Sequence, residues 1–337
     1  MKLSLNTITF ESYSACNLRC VYCYNTWKRP EGDAPFRYSH RQAVKTLKEI
    51  YRQADITQLS ITGGEPLLNE YVAELILTAK LKGSKVSIIS NGNGVKDGDY
   101  TLYRDLDVDL FLMPLHAASS SIHDSMTQVE GSWQRSLSSI TSCAEMGFYV
   151  VPVVVLTRLN APQIEETLRF ISNLGLKRIM VNRYNIGGAG INHQSLSLGH
   201  DELRQAFGKI NRISEELTLN VSSNVCTPFC VLNPADYPSI AFGACSPDPF
   251  RRPLTVDVMG NLRTCNHSPI VAGNIFKDRI EDIVNTPYMK SWNDTTPTFC
   301  EQCAMYAQCR GGCRAASEQL GLTLRHVDPL VTMQESL

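Results

Sequence analysis

Residues Tyr13-Ser14-Ala15-Cys16-Asn17-Leu18-Arg19-Cys20-Val21-Tyr22-Cys23 place three cysteines within eight positions, directly after an apolar run at 5–10. Thiolates at this spacing can wrap one side of an iron–sulfur cube, leaving its fourth iron open to a molecule that reacts. A structural zinc site is the alternative. Tetrahedral zinc takes four ligands, however, and no fourth His or Cys stands nearby.

Outward from this stretch, β-branched apolar runs recur at 56–62, 85–90, 108–115, 149–156 and 177–182. The run 149–156 (YVVPVVVL) is apolar on both faces, as in a parallel strand covered on both sides. Pro152 weakens it locally. Amphipathic stripes lie between the runs. Val44, Leu47 and Tyr51 follow a Ser39 cap, and Leu68, Val72, Leu75, Ile76 and Ala79 end near Gly83. Trp133, Leu137, Ile140 and Ala144 stop at Gly147. Asn160 as cap, Pro162 and Gln163 open a fourth helix that ends before Gly175. Leu203, Phe207, Ile210 and Leu217 mark a fifth. Six strand–helix units in series imply parallel strands with right-handed crossovers, a barrel or an open sheet, with chemistry at the strands' C-terminal ends.

The chain has 337 residues, enough for one large or two moderate domains, and a net charge of −1. That balance argues against a nucleic-acid or membrane-surface partner. No apolar run reaches membrane-span length, and the N-terminus MKLSLNTITF has no signal-peptide core. Twelve cysteines in tight groups on a cytoplasmic chain point to metal rather than disulfides. Eight of them follow residue 222, in a proline-punctuated tail.

Thr62-Gly63-Gly64-Glu65-Pro66 closes the second run and Ser90-Asn91-Gly92 the third. With CxxxCxxC and an aromatic residue before its last cysteine, this order resembles the radical S-adenosylmethionine (radical SAM) superfamily over the first 220 residues. The resemblance implies an α/β fold: a partial (β/α)6 TIM-like barrel over 1–222 and a loop-rich C-terminal iron–sulfur cluster domain over 223–337. It implies a [4Fe-4S] cluster on Cys16, Cys20 and Cys23, with SAM chelating the open iron. Gly63, Gly64 and Glu65 would face the SAM ammonium, Ser90 and Asn91 its ribose or carboxylate, and Tyr22 its adenine. A strand-to-helix turn at 63–64 and a plain loop at 90–92 are the bland alternatives.

The tail reads Cys245-x14-Gly260-x4-Cys265, then Cys300-x2-Cys303-x5-Cys309-x3-Cys313. This array resembles the SPASM extension, which holds up to two auxiliary clusters. His123-Asp124 and Gly131-Ser132-Trp133 resemble that group's intermediate signals. The family pattern implies one auxiliary cluster on Cys226 or Cys230 with Cys245, Cys265 and Cys313. A second takes Cys300, Cys303, Cys309 and a final cysteine, but none follows Cys313. Asp328 or His326 would substitute, or that iron stays open, or the cluster does not form. The remaining thiol of Cys226 and Cys230 is a hydrogen-atom donor or a buried thiol. Cys143 reads as core. His116 is expected at the active-site rim, touching SAM or substrate, with a structural histidine as the alternative. The run 187–190 (GGAG) lacks a dinucleotide fingerprint and is either a close-approach backbone or a flexible loop.

These readings lead to a radical SAM/SPASM enzyme that modifies a ribosomally made peptide. A separate leader-binding protein and a flavodoxin or ferredoxin donor are its expected partners, with no nucleic acid or membrane. The alternatives are a small-molecule substrate, or a non-catalytic electron-transfer or zinc-structured protein.

Overall fold

The six apolar runs form β1 (Leu3–Tyr13), β2 (Ala54–Gly63), β3 (Lys85–Ile89), β4 (Leu110–Pro114), β5 (Val150–Leu156) and β6 (Arg178–Arg183). The computed structural model describes residues 2–30, 40–95, 98–246 and 248–333. The strands pair in parallel in the order β6-β5-β4-β3-β2-β1. Seven helices cover them: α1 (His40–Gln53), α2 (Val72–Lys80), α3 (Asp99–Asp105), α4 (Ser120–Thr127), α5 (Ser132–Glu145), α6 (Ile164–Asn173) and α7 (His200–Glu216).

Both faces of these strands are buried, and the residues alternate accordingly. Ile8 and Phe10, Leu59 and Ile61, and Val86 and Ile88 join Leu47, Ile50, Leu75 and Ile76 of the helices in one apolar core. Thr9 and Glu11, Ser60 and Thr62, and Ser87 are buried on the other face. A polar residue can be buried there because it is hydrogen-bonded; Ser60 and Ser87 meet at 2.8 Å across two strands.

The tail adds strands at both ends of the same sheet. β7 (Asn220–Ser223) and β8 (Ile240–Phe242) continue in parallel beyond β6. β9 (Leu254–Asp257) then pairs in parallel with β1, Ile8 opposite Leu254, and carries the antiparallel β10 (Asn261–Arg263) and β11 (Val271–Asn274). Parallel strands joined by right-handed crossovers, with helices packed outside, form a curled sheet. This is the TIM-like partial barrel.

Pro152 sits inside β5 without breaking it. The ladder to β6 starts one residue later, at Val153 opposite Met180, so the missing N–H falls outside that pairing. Ser39 lies outside the described residues. Two helix expectations are corrected. α5 buries Ser132, Ser136, Ser139, Ile140 and Cys143, whereas Trp133, Leu137 and Ala144 are only half-buried. Ser136 and Ser139 face inward because they bond the backbone of the 90–92 turn, and Ser132 because it bonds Asp124 and Thr127. Asn160 does not cap α6; its buried amide binds the backbone of His116, Val155 and Thr157 instead.

Candidate active site and auxiliary cysteine centres

The three-cysteine loop leaves the C-terminal end of β1 and is held from several sides. A short parallel bridge joins Ala15–Cys16 to Arg29–Pro30. The N–H groups of Arg19 and Val21 donate to Thr127 and Met126 at the end of α4, each at 3.0 Å. Glycines 63 and 64 admit the loop at its root: a Cβ on Gly63 would lie 2.1 Å from the Tyr13 carbonyl, and one on Gly64 2.2 Å from that of Ala15. The paired glycines thus serve the approach of β2 to the cysteine loop's own backbone. The 187–190 run does the same opposite, since a Cβ on Gly188 would lie 2.6 Å from the Cys23 carbonyl.

Cys16 and Cys20 are buried and Cys23 half-buried. Burial pushes the Cys20 thiol up to about 12 and raises Cys16. Lys28 stands among all three; burial alone would lower its pKa, but Cys23, Cys20 and Cys16 together hold it above the usual lysine range. Three soft donors on one loop beside a half-buried cation suit a polynuclear iron–sulfur group. Among the described residues, no three His, Cys, Asp or Glu side chains could hold a single metal ion.

Glu65 organises the neighbouring strand ends. Its carboxylate accepts from Leu67 N (2.9 Å), Ser90 Oγ (2.7 Å) and Asn91 N (2.7 Å). Burial raises its pKa, and these three donors oppose that rise. Asn91 in turn donates to Asn17 Oδ1 at 2.9 Å and approaches Cys16 Sγ at 3.8 Å. Ser136 and Ser139 of α5 clasp the carbonyls of Asn91 and Gly92. The 90–92 turn is therefore a built element, not a plain loop.

Tyr22 and His116 meet at 2.6 Å, Oη to Nε2. His116 Nδ1 accepts from Val155 N at 3.2 Å, so Nε2 carries the proton and donates to the tyrosine. The Tyr22 hydroxyl is hydrogen-bonded to Cys20. His116 is fully buried with both ring nitrogens engaged, which corrects its expected place at the rim. It positions Tyr22 against the cysteine loop. Burial holds it neutral, and it stacks on His123 at 5.1 Å. The significance of the His-Asp and Gly-Ser-Trp signals is local: Asp124 accepts from Gly131 N, Ser132 Oγ and Trp133 N and thereby caps α5.

The tail cysteines form two groups. Cys226 and Cys245 share a hydrogen bond that holds the Cys226 thiol high and the Cys245 thiol low. Cys313 and Cys265 stand beside them, and Arg252, Arg314 and Arg310 make the surroundings positive. Asn185 Nδ2 donates to Cys313 Sγ at 3.2 Å. Cys300, Cys303 and Cys309 form the other group. Cys143 is core, fully buried in α5. Asp328 is not free to bind iron: it is fully buried, ion-paired with Arg183, and accepts from Cys313 N and Leu330 N. His326 is exposed and bonds Thr323. Sequence reading missed Asp328's pairing, Lys28 and Glu65's bonds to Ser90 and Asn91.

The chain matches the radical SAM superfamily model over residues 10–171 and the SPASM iron–sulfur cluster-binding domain model over 245–313. Among characterised proteins it is 26% identical over 331 residues to the mycofactocin maturase MftC of Mycobacterium tuberculosis (strain CDC 1551 / Oshkosh), covering 96% of this chain and 81% of that one. It is 25% identical to the antilisterial bacteriocin subtilosin biosynthesis protein AlbA of Bacillus subtilis (strain 168), over 88% of this chain and 63% of AlbA. The fold matches the crystal structure of Streptococcus suis SuiB bound to precursor peptide SuiA, with a TM-score of 0.74 at 15% identity, over 97% of this chain and 75% of SuiB. With both domain models matched in order, and their cysteines gathered at the strand ends and in the tail, the chain belongs to the radical SAM superfamily as a SPASM-bearing enzyme.

Proposed function

We propose that this enzyme modifies a ribosomally made peptide or protein by crosslinking, oxidation or epimerisation. The observation that carries this reading is the likeness to MftC along 96% of the chain, through both cysteine regions. AlbA, and the SuiB complex with its precursor peptide, support the same substrate class.

Cys16, Cys20 and Cys23 would hold the SAM-binding [4Fe-4S] cluster, and the tail cysteines one or two auxiliary clusters. When bound and reduced, the cluster with SAM would supply radical chemistry able to break an unactivated C–H bond. The chain's own residues position these partners. Glu65 spends three of about four carboxylate lone-pair sites on Leu67, Ser90 and Asn91, leaving one for an ammonium. Gly63, Gly64, Ser90, Asn91 and Tyr22 complete the SAM-binding side. Burial around Cys16 and Cys20 excludes water.

Residues 1–222 would carry SAM cleavage and 223–337 the auxiliary clusters. The twelve free cysteines suit a reducing cytoplasm, and among the described residues no helix is long and apolar enough to cross a membrane. The chemistry needs an external one-electron donor of the flavodoxin or ferredoxin class. The test is anaerobic incubation of the reconstituted, reduced enzyme with SAM and a candidate precursor peptide, with and without a leader-binding protein. A peptide mass shift alongside 5′-deoxyadenosine supports the reading. 5′-Deoxyadenosine with no shift on any peptide, but turnover of a small molecule, would replace the substrate class.

A further inference from the structure

Resting on the SPASM reading above, the question is how the tail's eight cysteines divide. Cys226-Thr227-Pro228-Phe229-Cys230 forms a tight bend. The N–H groups of Val231 and Leu232 both return to the Pro228 carbonyl at 3.0 Å. Arg183 clamps the first half, donating to the Cys226 carbonyl at 2.9 Å and to Thr227 Oγ1 at 3.2 Å. The second half goes elsewhere: the Phe229 N–H donates to Cys309 Sγ at 3.3 Å.

The loop between Cys309 and Cys313 packs on this bend. A Cβ on Gly312 would lie 2.6 Å from Pro228, and one on Gly311 would lie 3.5 Å from Cys300 Sγ. Both glycines adopt positive φ, +78° and +80°, so the loop is shaped to lie between Cys300 and the bend. The electrostatic neighbours agree. Cys226 feels Cys245, Cys313 and Cys265. Cys230, exposed as a residue but with its sulfur partly withdrawn from water, feels Cys309 and Cys303. Cys300 feels Cys309, Cys303 and Cys230. Meanwhile Asp328 is taken up by Arg183.

We infer that Cys230 is the fourth thiolate ligand of the second auxiliary cluster, with Cys300, Cys303 and Cys309, in place of the cysteine that the family pattern puts after Cys313. Cys226 then completes the first, with Cys245, Cys265 and Cys313. Two consequences follow. The second cluster has no open iron for substrate, and the 226–230 bend has no spare thiol to donate a hydrogen atom.

The test uses the full chain reconstituted anaerobically, read by iron and sulfide content, Mössbauer spectra and cysteine alkylation mapped by mass spectrometry. The wild type should hold about twelve irons in three [4Fe-4S] clusters, and Cys230→Ser about eight. The Cys230→Ser spectrum should match that of Cys303→Ser and differ from that of Cys245→Ser. Cys226→Ser/Cys230→Ser should fall to about four irons, because the two thiols serve different clusters. In the cluster-loaded wild type, Cys230 should resist iodoacetamide and become reactive once a chelator strips the iron. That readout does not depend on a variant folding. Immediate labelling of Cys230 in the loaded protein, a wild-type iron content in Cys230→Ser, or a wild type with about eight irons would each overturn the assignment. SAM cleavage in the same preparations reports separately on the enzyme reading: its presence with any of those outcomes overturns the ligand assignment alone.

Discussion

The catalytic cysteine loop and the tail array hold thiols by opposite means. The loop gathers its three cysteines within eight residues. It is positioned by regular elements: the ends of β1, β2 and α4, and the glycine run after β6. The tail draws its eight cysteines from segments as far apart as 226 and 313. Leu254, Val256, Ile280 and Met289 pack it into the shared apolar core, and buried polar contacts tie its cysteine-bearing loops. Arg183–Asp328 ties β6 to the chain after Cys313, and Glu11–Arg263 ties β1 to β10 with Trp27 stacked on the guanidinium at 3.8 Å. Glu318 accepts from Ser268 and Tyr288, each at 2.8 Å. A cluster inserted into a strand-end loop inherits the barrel's rigidity. One built from scattered loops needs ion pairs, and iron itself, to hold its shape.

The largest expected effect separates the two regions by function. Cys20→Ala should reduce SAM cleavage by a factor of 1,000 or more, on the order of 4 kcal/mol of barrier. Cys300→Ala should reduce peptide product far more than it reduces 5′-deoxyadenosine. Equal losses of both in the two variants would erase the distinction.

Breaking the tail's ion pair comes next. Arg183→Met leaves Asp328 buried without its partner and should cost about 3–5 kcal/mol in chemical denaturation. Arg183→Met/Asp328→Leu should recover much of that loss. A single variant as stable as wild type would show that the tail does not depend on this pair.

Acid should loosen both regions through buried neutral histidines. Burial lowers His123 in the barrel and His267 in the tail to about 4 from the usual 6.5. The unfolded chain takes up these protons near pH 6.5, whereas the folded chain refuses them until about 4. Stability is therefore full above 6.5 and falls as pH drops from 6.5 to 4, by about 3 kcal/mol per histidine. His123→Gln should flatten that slope; an unchanged slope would remove this histidine from the account. The smallest effect belongs to the barrel: Asp124→Ala removes the α5 cap and should cost about 1 kcal/mol, read as a modest fall in Tm.

Most of the barrel was legible in the sequence because its strands bury both faces, so apolar runs mark them directly. Cys16, Cys20 and Cys23 were legible because their spacing is local. α5 was misread because the 90–92 turn needs Ser136 and Ser139 on the buried face, and apolar periodicity is blind to that demand. Asn160 looked like a cap because nothing local shows that its amide serves the His116 carbonyl. The division between Cys226 and Cys230 was invisible for the same reason. It depends on Pro228 meeting Gly312, 84 residues away.

The most direct measurement is 5′-deoxyadenosine released by the reconstituted, reduced enzyme given SAM. The wild type should form it, and Cys20→Ala should not. A wild-type protein carrying about twelve irons that releases no 5′-deoxyadenosine would contradict the enzyme reading.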